Sequence, residues 1–181
     1  MYRKQVYLGI AGVCSHDSAA ALVIDGKIVA AAEEERFTRE KHSGTFPYNA
    51  IDFCLRQAGT GSQDVDCVAY YMDPRLRVLH SLGFNLSTAY SRIGHILPRN
   101  GVKGVIKSFK SAWDVERAIF NGYSITKEYS HRFLKAKFVS VPHHDAHAAS
   151  AFFTSSFDQS SVLTIDLIGE WDTTRFYMGQ N

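Results

Sequence analysis

The chain has little cysteine: Cys14, Cys54 and Cys67 are an odd number in 181 residues, and all three sit in apolar stretches. They read as reduced core thiols of a cytoplasmic protein rather than as a disulfide framework. Long hydrophobic runs are missing. No stretch approaches the ~20 apolar residues that span a bilayer, so no membrane partner is expected. The N-terminal segment from Met1 to Ile10 carries two basic residues but runs straight into a strand. It lacks the long apolar region and small-residue cleavage site of a signal peptide. Charge bias is slight as well, with a net charge of +2, which gives no footprint for a nucleic-acid partner. Basic residues do gather at Arg99, Lys103, Lys107 and Lys110; a solvated helix face is the simpler reading. What is present is 45% hydrophobic and 21% charged, ordinary for one globular domain or a little more.

Residues 5–11 read as a strand and 18–25 as a second. Asp25-Gly26 is a hairpin-turn signal, and 27–35 continue as a third strand. Three strands joined by tight turns must be antiparallel neighbours. Residues 48–58 have helical spacing (Ile51, Leu55, Ala58), closed by Gly59 as a C-cap. Residues 66–72 form a fourth strand. Residues 74–96 read as mixed and partly helical. Apolar positions from Val105 to Phe120 give a helix over 103–120, and 124–134 stay ambiguous. A strand at 137–141, a helix over about 144–154 and strands at 161–166 and 172–178 follow. The order β-β-β-α-β-(helical excursion)-β-α-β-β fits an α/β fold with a mixed five-stranded sheet and helices on its faces. It is the order of a ribonuclease-H-like half-domain, the unit from which actin-like ATPases are built twice over.

A weak internal repeat points the same way. Residues 8–23 lie without gaps over 163–178, with Leu8/Leu163, Ile10/Ile165 and Asp17/Asp172 identical. On this reading residues 1–159 are a first lobe. Residues 160–181 are the first hairpin of a second lobe, cut off at Asn181.

The most informative segment is His143-His144-Asp145-Ala146-His147. His143 and His147 are four apart, so on a helix their imidazoles point the same way. Strand, Pro142 and helix formers place this pair on a first helical turn, where the carboxyl end of a strand favours ligand sites. Two imidazoles plus Asp166, at the end of the next strand, can hold a divalent metal and leave positions open. The plainer alternative is a surface His pair.

The turn at 12–18 (Gly-Val-Cys-Ser-His-Asp-Ser) offers small residues and polar side chains. His16 is able to act as acid or base near neutral pH or to bind an oxyanion, with Asp17 beside it. An ordinary self-bonded turn is the alternative. The run 33–42 (Glu-Glu-Glu-Arg-Phe-Thr-Arg-Glu-Lys-His) closes the third strand, with Glu33 and Glu35 on one face and Glu34 and Arg36 on the other. It is either a solvated strand end or a polar wall offering Arg36, Arg39, Lys41 and His42 to a substrate. Gly169-Glu170 either brings a backbone and a carboxylate to the same cleft or simply makes a turn.

Taken together, His16-Asp17-Ser18-Ala19-Ala20, the run 33–42, His143 to Ala149 and Asp166-x-x-Gly169-Glu170 resemble the NodU/CmcH-type O-carbamoyltransferases. The resemblance covers only the N-terminal part of such enzymes. It implies an actin-like two-lobed catalytic domain related to the threonylcarbamoyladenosine synthases. A separate C-terminal domain would make carbamoyl-adenylate from carbamoyl phosphate and ATP. The catalytic domain would then pass the carbamoyl group to a hydroxyl of a small-molecule acceptor. By resemblance, His143, His147 and Asp166 are ligands of iron or a similar divalent metal, with a further ligand from the second lobe. His16 matches the histidine of the family's substrate-side turn, with Asp17 beside it, and both are taken as catalytic. Arg36, Lys41, His42, Gly169 and Glu170 are the candidates, from the residues themselves, for substrate contact. One departure stands out: the family usually has Gly directly after the aspartate, and here it is Leu167.

Overall fold

The computed structural model describes residues 3–13, 17–73, 128–129, 131–169 and 172–180. His16, Glu170, Cys14 and the helical segments expected between 74 and 127 lie outside them. Strands β1 (Val6–Ala11), β2 (Ala19–Ile24), β3 (Lys27–Glu33), β4 (Cys67–Tyr70) and β5 (Lys137–Ser140) form one sheet in the order β3-β2-β1-β4-β5. β1, β2 and β3 pair antiparallel, and β1, β4 and β5 pair parallel. The expected α/β architecture with a mixed five-stranded sheet is present. The β2–β3 turn shows why the sequence reads so clearly there. Asp25 and Gly26 both have positive φ, 49° and 77°, the mirror-image turn whose twist matches that of the strands.

Helix α1 (Glu35–Thr38) is short, and α2 (Tyr48–Ala58) covers one face of the sheet. Ala50, Ile51, Cys54 and Leu55 point into a core with Leu8, Leu22, Val65 and Val68. Burial pushes the Cys54 thiol pKa up. Truncating Leu8 or Ile51 to Ala would cost about 2–5 kcal/mol. α2 stops at Gly59, whose φ of 61° is left-handed; Thr60 N–H closes the cap onto the Leu55 carbonyl at 3.1 Å. Tyr129 and Phe133, from the ambiguous segment, also reach this core.

The third strand ends earlier than the sequence indicated. β3 stops at Glu33 and Glu35 starts α1, so Glu33 and Glu35 do not share a strand face. The reason is Glu34, only 2% exposed. Its carboxylate accepts from the backbone N–H of Asn49 and Ala50 and from Asn49 Nδ2, at 3.2, 2.8 and 2.6 Å. Those N–H groups begin α2 and have no intrahelical acceptor. Because Pro47, the N-cap residue, has no side-chain cap, a distant glutamate caps the helix instead.

Helix α3 (His143–Phe152) follows β5, and strands β6 (Gln159–Gly169) and β7 (Asp172–Gln180) form a separate two-stranded sheet. The internal repeat holds only loosely. Shifted by 155, the pair Leu8↔Leu22 would become Leu163↔Tyr177, whereas Leu163 pairs with Phe176. A register shift between Ile165 and Gly169 breaks the equivalence.

Candidate metal centre

The sheet topology gathers the candidate residues at one edge. β1, β4 and β5 are parallel, so their carboxyl ends lie together. The pairs Ala11↔Ala19 and Ala19↔Glu33 bring the start of β2 and the end of β3 to the same edge. Gly12 and Val13 after β1, Asp17 and Ser18 before β2, the loop after β3, Tyr71 and the start of α3 therefore share one rim, where α/β sheets hold ligands.

At that rim α3 presents His143 and His147 on one face. Asp166 approaches from β6. Its Oδ2 lies 2.6 Å from His143 Nε2 and 3.4 Å from His147 Nε2, and the two Nε2 atoms are 3.0 Å apart. The donor atoms all fall within 4.8 Å of one another. Two imidazole nitrogens and one carboxylate oxygen suit zinc, iron or a similar divalent ion, with positions left open. Tyr71 packs its ring against His143, with centroids 5.6 Å apart. His143 Nδ1 is buried without a hydrogen-bond partner, so hydrogen bonding orients this ring from its Nε2 side. The other Asp166 oxygen accepts the Leu167 N–H at 2.6 Å. The His143 hydrogen bond, followed by the Leu167 and His147 contacts, holds the Asp166 carboxyl below the usual carboxylate range, and burial opposes the shift.

β6 meets α3 through alternate residues. Thr164 and Asp166 face the helix, and Leu163, Ile165 and Leu167 face away, all exposed. The register shift after Ile165 turns Gly169 back toward α3, as a bulge does. A Cβ on Gly169 would lie 2.5 Å from His143 Cδ2 and 2.8 Å from His144 Nε2. Gly169 is therefore needed for close packing against the two imidazoles. The sequence holds the parity signal for Thr164 and Asp166, but the bulge and the contacts of Asp145 with Tyr177 and Arg175 have no sequence signature.

On the other side of the rim Asp17 Oδ1 lies 2.9 Å from His42 Nδ1. Both residues have left-handed backbone, φ 57° and 56°, a strained conformation that gathers at functional positions. Ser18 N–H to the Ser43 carbonyl, at 3.0 Å, ties the two loops. Arg36 pairs with Glu33 at 3.3 Å, and Lys41 is exposed. A cavity of about 920 Å³ opens over the sheet beside these groups, and neither the Asp17–His42 pair nor His143, His147 and Asp166 line it. Glu33, Arg36 and Phe37 line one part, Tyr71, Val141 and Ala146 another, with small sheet residues such as Gly9 and Ala21 between.

Residues 7–181 match the family described as carbamoyltransferase N-terminus. The chain belongs to that family. It is 35% identical over 158 residues to nodulation protein NolNO of Sinorhizobium fredii, covering 86% of this chain and 20% of that protein. It is 40% identical over 171 residues to the uncharacterized protein sll1178 of Synechocystis, covering 91% of this chain and 26% of the relative. The chain thus spans about a quarter or less of the length of these two curated relatives. YeaZ from Pseudomonas aeruginosa is similar in structure with a TM-score of 0.40 and 10% identity, over 97% of this chain and 66% of YeaZ. Among the described residues no helix is long and apolar enough to cross a membrane.

Proposed function

We propose that this chain supplies the first, metal-holding part of an O-carbamoyltransferase, acting in the cytoplasm. In this reading the enzyme moves a carbamoyl group from carbamoyl-adenylate, made from carbamoyl phosphate and ATP, to a hydroxyl of a small-molecule acceptor. The observation that carries it is the convergence of His143, His147 and Asp166 in a chain of the carbamoyltransferase N-terminus family. These three residues would hold iron or a similar divalent ion, which when bound polarises a carbonyl group.

The chain's own groups do the rest. Tyr71 buttresses His143. Asp17 holds the His42 imidazole at 2.9 Å, and His42, or His16 by its sequence motif, would accept the proton of the acceptor hydroxyl. As that proton leaves, the acceptor oxygen bonds to the carbamoyl carbon, and the bond from this carbon to the adenylate oxygen breaks. AMP departs with the electron pair. Arg36 and Lys41 offer positive charge to the phosphate, and Gly169, with Glu170 next to it in the sequence, would complete the substrate side.

The fold supports a ribonuclease-H-like, actin-like lobe by its strand order, with 1–159 as the lobe and 160–181 opening a second. β6 and β7 favour this division, because Leu163, Ile165, Leu167, Phe176 and Met178 are all exposed. An apolar hairpin face of that size is half of a core and needs a partner sheet or helix.

Titration of Co²⁺ or Fe²⁺ into the purified chain tests the reading. One equivalent should bind, and His143→Ala should abolish binding. No binding by the wild-type chain would remove its basis. The second reading is a threonylcarbamoyl-transfer-like or other actin-like ATPase lobe. AMP release stimulated by tRNA, and not by small hydroxyl compounds, in the protein that carries this chain would favour it.

A further inference from the structure

We propose that His144, which ligates nothing in the metal reading, is the positioning residue that sets where Asp166 meets His143 and His147. Its ring is 2% exposed and turned away from the ligand pair. Nε2 lies 2.8 Å from the carbonyl oxygen of Asp172, and Nδ1 lies 2.8 Å from Thr164 Oγ1. A carbonyl only accepts, so Nε2 carries a proton and donates it. Thr164 stands two residues before Asp166 on the same face of β6. Asp172 opens β7 and pairs with Gly169 across the turn. One imidazole therefore grips the hairpin on both sides of Asp166.

The hairpin backbone also rests on this ring. A Cβ at Gly169 would approach His144 Nε2 to 2.8 Å and Cδ2 to 2.9 Å, so there is no slack at the contact. These bonds fix the hairpin against α3. Metal–ligand bonds of about 2 Å tolerate errors of only about 0.2 Å. A hairpin that slides by half an ångström would take the carboxylate out of range. Partners that orient ligands in this way are typically worth about 10–100-fold in metal affinity. A core histidine with no such duty would hold the hairpin without any effect at the ligand atoms, and the two readings separate on that point.

The inference rests on the metal reading, so the test has one metal readout and one without metal. Co²⁺ titration followed by visible absorption compares wild type with His144→Phe, His144→Gln, Thr164→Val and Thr164→Ser. His144→Phe and Thr164→Val should bind about 10–100-fold more weakly, with an altered absorption band. His144→Gln and Thr164→Ser, which retain a hydrogen bond, should recover part of the loss. In the metal-free chain at fixed pH, histidine-ring ¹⁵N spectra report the His143–Asp166 hydrogen bond. That signature should vanish in His144→Phe and Thr164→Val. Failure of the wild-type chain to bind Co²⁺ would sink the metal reading, and the ring spectra alone would then decide the positioning. If His144→Phe does not fold, Thr164→Val decides. A folded variant with unchanged ring spectra, and unchanged Co²⁺ affinity where wild type binds, would overturn the proposal.

Discussion

His143 Nε2 and Asp166 Oδ2 lie 2.6 Å apart although 23 residues separate them in the chain. The contact joins a helix that follows the main sheet to a strand of a different sheet, and it brings together the three groups proposed to hold the metal. Asp166→Asn keeps the shape and removes the charge. We expect divalent-metal affinity to fall by about 100-fold or more, because a neutral amide oxygen is a much poorer donor to a cation. Calorimetric titration of Co²⁺ into both proteins measures it, and a change smaller than about threefold would place Asp166 outside the ligand set.

The same carboxylate should shape the acid limb of stability. Its folded pKa is depressed, mainly by His143. The stabilisation is therefore complete above the unfolded carboxyl value of about 4 and is lost as pH falls through the lower folded value. Urea midpoints measured from pH 6 down to pH 2.5 should decline more shallowly below about 4 in metal-free Asp166→Asn than in wild type. Parallel declines would show that the His143–Asp166 contact does not persist in solution.

Gly169→Ala is predicted to disturb the centre without touching a ligand. The added methyl would sit 2.5 Å from His143 Cδ2 and 2.8 Å from His144 Nε2, so the turn of β6–β7 must lift away from α3. Overpacking of this kind costs about 1–3 kcal/mol. Hydrogen exchange should accelerate in the hairpin but not in β1 or β4, and metal affinity should fall with it. Uniform exchange across the chain would argue that the hairpin adapts freely.

The parts of the molecule legible in the sequence are those set by local rules. Asp25-Gly26 dictates its own turn, Gly59 ends α2, and the i,i+4 spacing of His143 and His147 puts both rings on one helical face. Asp166 is legible because a carboxylate stands out in an apolar strand, although that strand does not end there as the sequence indicated but runs on to Gly169. Contacts set by tertiary approach had no local signature. Glu34 looks like one charge in a run of three, yet it is buried because α2 arrives above it. Gly169 looks like a turn glycine, yet two imidazoles leave no room for a side chain. His144 looks like a copy of its neighbour, and only the hairpin shows that it faces the other way.

Glu34 gives a sharp test of that tertiary effect. Its carboxylate accepts three hydrogen bonds at the start of α2, and hydrogen bonds to a charged group are worth about 1.5–3 kcal/mol in stability. Glu34→Ala should lower stability by about 2–4 kcal/mol, a loss readable in urea melts. Glu34→Gln should lose less, since its amide oxygen still accepts. Charge reversal at the exposed neighbour Glu33 should change stability by less than about 0.5 kcal/mol. Equal losses at 33 and 34 would show that the cap is not the source.

Leu167 occupies the position where the resemblance leads one to expect glycine, directly after Asp166. Its side chain is 90% exposed, and its backbone is not among the positive-φ residues, so leucine is neither strained nor packed there. Its N–H, which any residue but proline would supply, donates to Asp166 Oδ1. Leu167→Gly should therefore leave Asp166 in place and metal affinity within about twofold, at a backbone-entropy cost of about 0.5–1 kcal/mol. If the turn after Asp166 faces the nucleotide, removing the isobutyl group opens space for it. Titration of a non-hydrolysable adenylate analogue into the protein that carries this chain should then show tighter binding for Leu167→Gly. Equal affinity would assign Leu167 to the apolar face it shares with Leu163 and Ile165, where leucine packs against the rest of the protein and the nucleotide does not come near.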